Sequence, residues 1–172
     1  MKSVLETQKN GITKSSVSKH ENCRIRLAQP HDVDSIAHLI NYYAQQGEML
    51  PRQLKSISEH LGGFLIAEIG NEVVGCAALH IWADGTCEVR SLAVGREWRG
   101  QKIGERLLMQ LVELAKSRRS TLLFALTLRP SFFDKFGFVR LEKQVLKLKV
   151  EGDCAVCPFK LGCQEISVGL ML

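Results

Sequence analysis

The sequence predicts a mixed α/β domain with a central, mostly antiparallel sheet that is flanked by helices. Short apolar segments of strand length are separated by turn residues, and two longer segments repeat apolar residues with the period of an amphipathic helix. The chain has 172 residues, of which 45% are hydrophobic and 24% charged. It is therefore long enough to bury one sizeable core and too short for two well-formed domains.

The first half of the chain begins with a segment that we expect to be flexible. Residues 1–22 are polar and show no periodicity, so we predict a loose tail followed by one domain over 23–172. A short strand is predicted over 24–27, and a helix after Pro30 ends before Gly47. A second short helix is predicted over 54–61. The first helix has one apolar face, formed by Val33, Ile36, Ala37, Ile40 and Tyr43.

The second half carries most of the predicted sheet. Two apolar runs flank Gly70-Asn71, which predicts a β-hairpin of strands 64–69 and 72–81. Another strand is predicted over 87–94, followed by a strong helix that starts near Gly100 and by a strand over 121–126. A short helix is predicted around 131–135. We expect the remainder to form further strands, with an irregular cysteine-bearing loop at 153–163.

The charge balance favours a small anionic ligand. The net charge is +5, and aromatic residues are only 6% of the chain, with no segment that interleaves them with basic residues. We therefore expect a phosphate-bearing cofactor and no nucleic acid. No apolar run approaches the roughly 20 residues of a membrane-spanning helix, and the N-terminus has no apolar signal core. A cytoplasmic protein without membrane contact is predicted.

The segment from Val94 to Gly104 is the most informative part of the sequence. A predicted strand enters a basic, glycine-containing turn that opens a helix, and such a helix start offers backbone N–H donors and partial positive charge to a phosphate. Arg96, Arg99 and Lys102 add cationic side chains. The alternative interpretation is a helix that merely begins with glycine and is solvated by basic residues.

Several motifs resemble those of the GNAT N-acetyltransferase superfamily. Residues 99–104 (Arg-Gly-Gln-Lys-Ile-Gly) are similar to its acetyl-coenzyme A signature, Gln/Arg-x-x-Gly-x-Gly/Ala, with Lys102 at the middle glycine. A side chain there has to point outward to leave room for a pyrophosphate. Residues 132–138 (Phe-Phe-Asp-Lys-Phe-Gly-Phe) resemble its F-Y-x-K-x-G-F segment, with Phe133 at the tyrosine. The predicted order of strands and helices resembles the superfamily's fold as well.

Three more motifs narrow the resemblance to short amino-acid N-acetyltransferases related to N-acetylglutamate synthase. They are Gly-Glu-Met-Leu-Pro-Arg at 47–52, Glu-Val-Arg-Ser-Leu-Ala-Val at 88–94, and Asp-Cys-Ala-Val-Cys-Pro at 153–158 with Cys-Gln-Glu-Ile at 163–166. The resemblance implies a splayed sheet whose gap admits the pantetheine arm of acetyl-coenzyme A. It also implies direct attack by an amine on the thioester. The implied cofactor-binding residues are Leu92, Ala93, Val94, Arg99, Gly100, Gln101, Lys102, Ile103 and Gly104.

The strand over 87–94 also supplies the predicted catalytic residue. Regular alternation places Glu88, Arg90 and Leu92 on one face of the strand and Cys87, Val89, Ser91 and Ala93 on the other. Glu88 matches the strand glutamate that histone-type members of the superfamily use as a base, and it could accept the amine proton directly or through water. The alternative is a charged pair of Glu88 and Arg90 on a partly exposed face. No general acid is assigned, because Phe133 has no phenol.

Three arginines are candidates for binding the carboxylate of an amino-acid acceptor. Guanidinium groups bind carboxylates in a bidentate manner, and Arg52 and Arg90 lie within the matching motifs. Arg129 is the weaker candidate, and each of the three could instead be a solvated surface arginine.

The cysteines near the C-terminus could serve in two ways. Cys154, Cys157 and Cys163 begin with a spacing suited to zinc, but they supply three thiolates where structural sites usually have four ligands. Free thiols are therefore favoured over zinc, and a stable disulfide is the least favoured alternative in a cytoplasmic protein.

These observations predict an acetyl-coenzyme A-dependent N-acetyltransferase that acts on the α-amine of an amino acid. L-glutamate, and hence arginine biosynthesis, is the leading acceptor assignment. One alternative is an N-acetyltransferase for another small amine or a protein N-terminus. Another is a coenzyme A-binding regulatory module without turnover. The sequence leaves open whether two copies form a homodimer.

Overall fold

The structure, a computed structural model, describes residues 23–172 as one mixed sheet with helices on both faces. The predicted tail over 1–22 lies outside the described residues. The strand order is β1-β2-β3-β4-β5-β7-β6, and every neighbouring pair is antiparallel except β4 and β5. The strands are β1 Cys23–Leu27, β2 Phe64–Ile69, β3 Glu72–Ile81, β4 Cys87–Val94, β5 Leu122–Thr127, β6 Val139–Arg140 and β7 Ile166–Met171.

The helices match the predicted positions within a few residues, apart from a segment near the C-terminus. They are α1 Val33–Ala44, α2 Leu54–Glu59, α3 Ile103–Ser117, α4 Pro130–Asp134 and α5 Lys147–Lys149, which continues as a π-helical turn Val150–Cys154. Residues 147–154 were predicted as strand and irregular loop, and that prediction was wrong. Lysines alternate with apolar residues over 146–150, which resembles the pattern of a strand. Among residues 23–172, no helix is both long and apolar enough to span a bilayer.

The sheet is buried on both faces, which explains its continuous apolar runs. Phe64 and Ile66 of β2 pack with α1 and α2, whereas Leu65 and Ala67 of the same strand pack with α3. Leu107 of α3 has no exposed surface, and burying a side chain of this size stabilises the fold by about 1.5–3 kcal/mol. The sheet is thus the middle layer of three, and its strand ends are left to form the site.

A β-bulge in β4 overturns the predicted alternation of that strand. Ala93 pairs with Cys76 and Arg90 with Ala78, so two residues of β4 lie opposite a single residue of β3. Ser91 takes a left-handed conformation, with φ 53°. Beyond it the faces exchange, and Leu92 packs on the α3 side while Ala93 packs on the α1 side. The placement of Leu92 on the face of Glu88 and Arg90 was therefore wrong, because a bulge breaks the two-residue period.

A buried ion-pair network that the sequence analysis did not predict fastens β1 to the start of α1. Arg26 donates to Asp32 Oδ2 at 2.6 Å and to Glu68 Oε2 at 2.7 Å, and Asp32 also accepts the Gln29 N–H at 2.7 Å. Burial opposes ionisation of Asp32, but these donors outweigh it and hold the pKa of that carboxyl below its usual value.

Candidate active site

A large cleft opens where β4 and β5 separate. The two strands pair only at Cys87 with Leu123 and at Glu88 with Phe124, so beyond Glu88 the edge of β4 that faces β5 has no strand partner in the described chain. The resulting cavity measures about 1030 Å³. That volume is at the upper end of small-molecule sites, so it can hold a cofactor arm together with an acceptor.

The predicted cofactor turn lies at one end of this cleft. The first α-helical hydrogen bond of α3 runs from Arg106 N–H to Lys102 O, so the backbone N–H groups before Arg106 have no acceptor within the helix. Of the predicted turn, Gln101 is the member that does not line the cavity, and its side chain donates to Glu97 O at 3.4 Å. The members that do line it are Leu92, Ala93, Val94, Arg99, Gly100, Lys102, Ile103 and Gly104.

Lys102 stands at the position where the acetyl-coenzyme A signature has its middle glycine. Its backbone is left-handed, with φ 59° and ψ 12°, and the residue is exposed. Gly100, two residues earlier, also has a positive φ of 80°. The lysine therefore adopts the conformation that favours glycine. Its side chain is exposed at the helix start, where a cation favours anion binding.

A single carboxylate joins three loops at the cleft. Glu48 Oε2 accepts hydrogen bonds from Arg99 at 3.2 Å and from Arg129 at 2.9 Å. The structure therefore brings Arg129 beside Arg99 of the cofactor turn, and not beside Arg52 and Arg90 as a shared acceptor-binding group.

Tyr43 links α1 to the end of β4. Its hydroxyl donates to Val94 O at 2.6 Å, and the guanidinium carbon of Arg99 lies 4.4 Å from the centre of its ring. The tyrosine is buried, and burial raises the pKa of its hydroxyl. The helix that leads into the loop of Arg52 is thus attached to the strand and turn of the predicted cofactor site.

Four charged residues form a compact cluster at the other end of the cleft. Glu88 is 2% exposed, so it is not on a partly exposed face. Its Oε2 accepts from Arg90 Nε at 2.7 Å and from Trp82 Nε1 at 3.2 Å, and its Oε1 pairs with Lys149 Nζ at 2.8 Å. The Asp153 carboxylate accepts from Arg90 at 2.6 Å and from Lys149 at 3.1 Å. We call Glu88, Arg90, Lys149 and Asp153 the four-charge cluster.

Arg52 lies in the same part of the cleft without a carboxylate partner among the described residues. Its guanidinium donates to Ser56 Oγ at 2.9 Å and lies 5.8 Å from the centre of the Phe64 ring. Asn41 fixes the loop by hydrogen bonds to the backbone N–H and carbonyl of Arg52. Burial and the nearby charge of Arg90 lower the pKa of Arg52, which marks a cation whose charge is poorly compensated.

Glu165 is a cavity-lining residue that the sequence analysis missed as a site residue. It is half-buried, it precedes β7 directly, and none of residues 23–172 forms a hydrogen bond or close ion pair with its carboxylate. Burial raises the pKa of Glu165, while Lys149 and Lys143 oppose the shift. Its position in the Cys-Gln-Glu-Ile motif at 163–166 is the signal that the sequence offers for it.

The three candidate metal-ligating cysteines differ in location. Cys154 and Cys157 line the cavity, whereas Cys163 is exposed, with its sulfur 3.4 Å from Lys143 Nζ. Over residues 23–172, no group of three or more His, Cys, Asp or Glu side chains is arranged to hold a metal ion. Six cysteines are unpaired in the described chain.

Comparisons with known proteins agree with this geometry. Residues 30–138 match the acetyltransferase (GNAT) family. An uncharacterized N-acetyltransferase of Chlorobaculum tepidum is 35% identical over 145 residues, which cover 84% of this chain and 93% of that protein. The amino-acid acetyltransferase of Mycobacterium tuberculosis is 33% identical over 127 residues, covering 70% of this chain and 72% of that protein.

Solved structures give the same result. The N-acetylglutamate synthase of Neisseria gonorrhoeae, complexed with coenzyme A and N-acetyl-glutamate, superimposes with a TM-score of 0.80 at 28% identity, covering 87% of this chain and 35% of that one. Rv2747 of Mycobacterium tuberculosis, in complex with CoA and NLQ, gives a TM-score of 0.75 at 27% identity, covering 87% of this chain and 99% of that one. This chain thus spans about a third of the Neisseria synthase. The matched segment contains the splayed strands and the turn before α3, and the chain belongs to the acetyltransferase (GNAT) family of N-acetyltransferases.

Proposed function

We propose that this acetyltransferase transfers the acetyl group of acetyl-coenzyme A directly to the α-amine of an amino acid, with L-glutamate as the leading acceptor. The observation that carries the proposal is one continuous cleft. It joins the N–H donors before Arg106, which have no acceptor within the helix, to Arg52, which has no carboxylate partner among residues 23–172. A phosphate-bearing acyl donor and a carboxylate-bearing acceptor would therefore meet at the gap between β4 and β5.

The residues of the cofactor turn fit acetyl-coenzyme A, which supplies an activated acetyl thioester when bound. Backbone N–H groups at the start of α3 would hold its phosphates, and Arg99 and Lys102 would add positive charge beside them. The edge of β4 beyond Glu88 has no strand partner, so its N–H groups at Leu92, Ala93 or Val94 are available to a thioester oxygen.

Glu88 is our proposed acceptor for the proton that the amine must lose. The carboxylate lies at the point where β4 and β5 part, and it lines the cavity. Among residues 23–172 its Oε1 is paired with Lys149 alone. A carboxylate oxygen accepts two hydrogen bonds, so this atom can still receive a proton directly or through water. The three donors around Glu88 hold its orientation fixed.

Of the three arginines predicted to bind the acceptor, Arg52 has the best-suited surroundings. Arg90 already contacts both Glu88 and Asp153, and Arg129 is paired with Glu48. The guanidinium of Arg52 is half-buried, and its partners among residues 23–172 are a serine hydroxyl and an aromatic ring. A carboxylate bound there would gain charge-assisted hydrogen bonds without displacing an existing ion pair.

The deciding experiment is product detection by mass spectrometry after incubation with acetyl-coenzyme A and each of the twenty amino acids. We expect N-acetylated product with glutamate foremost, and loss of that product in a Glu88→Gln variant. Turnover by Glu88→Gln should fall by about 10²-fold and partly recover as the pH rises, because more of the amine is then already deprotonated. Coenzyme A binding without any acetylated amino acid would instead support a non-catalytic module or a different amine acceptor.

The identity of the acetylated amino acid would also indicate the pathway in which the enzyme acts. Acetylation of glutamate would place it in arginine biosynthesis, in the cytoplasm. The relatives named amino-acid acetyltransferase support this assignment, and the acceptor panel tests it.

A further inference from the structure

The charges at the acceptor end of the cleft are not all satisfied internally. Within the four-charge cluster, two cations and two carboxylates contact one another, so the cluster compensates its own charge. Two other charged side chains line this end of the cavity, and both lack a close ion-pair partner among residues 23–172. They are Arg52 and Glu165, one cation and one anion.

The backbone explains how Glu165 reaches the reaction gap. Ile166, the next residue, begins β7 and pairs with Thr127 at the end of β5. That end of β5 lies beyond Phe124, where pairing with β4 stops. Glu165 is therefore held beside the strand that forms one wall of the gap. Glu165 and all members of the four-charge cluster line the same cavity.

We propose that Glu165 binds the ammonium group of the amino-acid acceptor while Arg52 binds its carboxylate. The proposal rests on the proposed function and adds a residue that determines acceptor specificity. Every free amino acid carries an α-ammonium and an α-carboxylate, which match the two charged side chains that lack a close ion-pair partner among residues 23–172. An ammonium group bound at Glu165 would lie in the cavity that Glu88 also lines.

The surroundings of Glu165 support this role. Burial raises the pKa of the carboxyl, even though two lysines act in the opposite direction, so burial disfavours its ionised form. A directly bound ammonium group would stabilise the ionised form by a charge-assisted hydrogen bond. Half-burial makes such a pair stronger than an exposed one, because water screens it less.

The test compares Glu165→Gln with Glu142→Gln, an exposed carboxylate outside the cavity. The acceptor is the amino acid identified by the panel described above, and KM is measured for it and for acetyl-coenzyme A. Glu165→Gln should raise the amino-acid KM by about 10- to 100-fold, the range expected for losing a charge-assisted hydrogen bond, and leave the acetyl-coenzyme A KM within about twofold. Glu142→Gln should leave both unchanged.

A binding measurement separates recognition of the ammonium from a structural role. Calorimetry in the presence of coenzyme A would compare the amino acid with its N-acetylated product, which has no ammonium. Glu165→Gln should weaken binding of the amino acid and leave binding of its N-acetylated product unchanged. Glu165→Asp, which keeps the charge on a shorter side chain, should lie between wild type and Glu165→Gln.

Two results would overturn the proposal. One is an unchanged amino-acid KM in Glu165→Gln, and the other is an equal loss of affinity for the amino acid and for its acetylated product. Failure of the proposed function has a different signature, namely no product from the wild-type protein with any amino acid. The ammonium site would then be rejected with it.

Discussion

Gly104 offers the sharpest test of the cofactor turn, because the space around it separates stability from binding. It is the second residue of α3 and lines the cavity. A Cβ atom there would lie 3.6 Å from Val94 Cγ2 and 3.7 Å from the Phe132 ring, which are ordinary contact distances. Gly104→Ala should therefore fit. It should raise the free energy of unfolding by about 0.5–1 kcal/mol, or roughly 1–4 °C in Tm, because alanine favours a helix over glycine.

Gly104→Val adds two methyl groups about 1.5 Å beyond that Cβ. With Val94 and Phe132 already in contact, at least one methyl must enter the cleft beside the N–H donors of the helix start. We expect the Kd for coenzyme A to rise by about tenfold or more, which corresponds to about 1.4 kcal/mol of binding free energy. The fold should lose less than about 1 kcal/mol, since valine is a better helix former than glycine and this gain offsets part of any crowding against Val94 and Phe132.

Calorimetric titration with coenzyme A and urea unfolding would be run on wild type and both Gly104 variants. Gln110→Val is the matched control, because Gln110 is exposed on the same helix and lies outside the cavity. It should change stability slightly and leave coenzyme A binding intact. A folded Gly104→Val variant with wild-type affinity would refute the assignment of the phosphates to the start of α3.

Three further predictions concern other parts of the chain. Lys102→Gly should leave the free energy of unfolding in urea unchanged or raise it by up to about 1 kcal/mol, because Lys102 has a left-handed backbone. The control Gln110→Gly should lower it by about 1 kcal/mol. Equal losses in the two variants would contradict backbone strain at Lys102. Asp32→Asn should lower the free energy of unfolding by about 1.5–3 kcal/mol at neutral pH, since it weakens the charge-assisted hydrogen bonds from Arg26, which keeps Glu68 as its remaining carboxylate partner. Because folding lowers the pKa of Asp32, its contribution is present above about pH 4 and is lost as the pH falls, so wild type and variant should converge in acid. Elemental analysis of protein purified without added metal should find no stoichiometric zinc; zinc that disappears in Cys157→Ser would reverse the preference for free thiols.

Local signals predicted most of the fold correctly. The Gly70-Asn71 turn predicted the β2–β3 hairpin, and Gly70 does take the positive φ, 63°, that such a turn requires. The apolar period of α3 correctly identified its buried face, including Leu107 and Leu111. These features depend on residues close together in sequence, so a single chain carries enough information to place them.

Features set by distant contacts were not predictable in the same way. The bulge at Ser91 depends on how β3 and β4 pair, and no local signal marks it. The insertion of β7 between β5 and β6 is likewise a matter of long-range pairing.

The candidate site shows the same difference between features set by local motifs and features set by distant contacts. The turn before α3 and the arginine candidates lie within recognisable motifs, and the structure places Arg52 and Arg90 in one cleft. The sequence could not show that Asp153 joins Glu88 as a partner of Arg90, or that Arg52 has no carboxylate partner among residues 23–172. Nor could it show that Glu165 and Glu88 line the same cavity, because long-range pairing with β5 sets the position of β7.

The hydrogen bond from Tyr43 to Val94 O has a consequence for kinetics. Tyr43 lies in the last turn of the helix that precedes the acceptor loop, and Val94 ends the strand that precedes the cofactor turn. One short contact therefore links two loops that approach the cleft from different parts of the chain. A displacement of either loop is transmitted to the other through this bond and through Arg99, which rests on the same ring. Substitutions in either loop should therefore change the KM values of both substrates together, even where the altered side chain contacts only one of them.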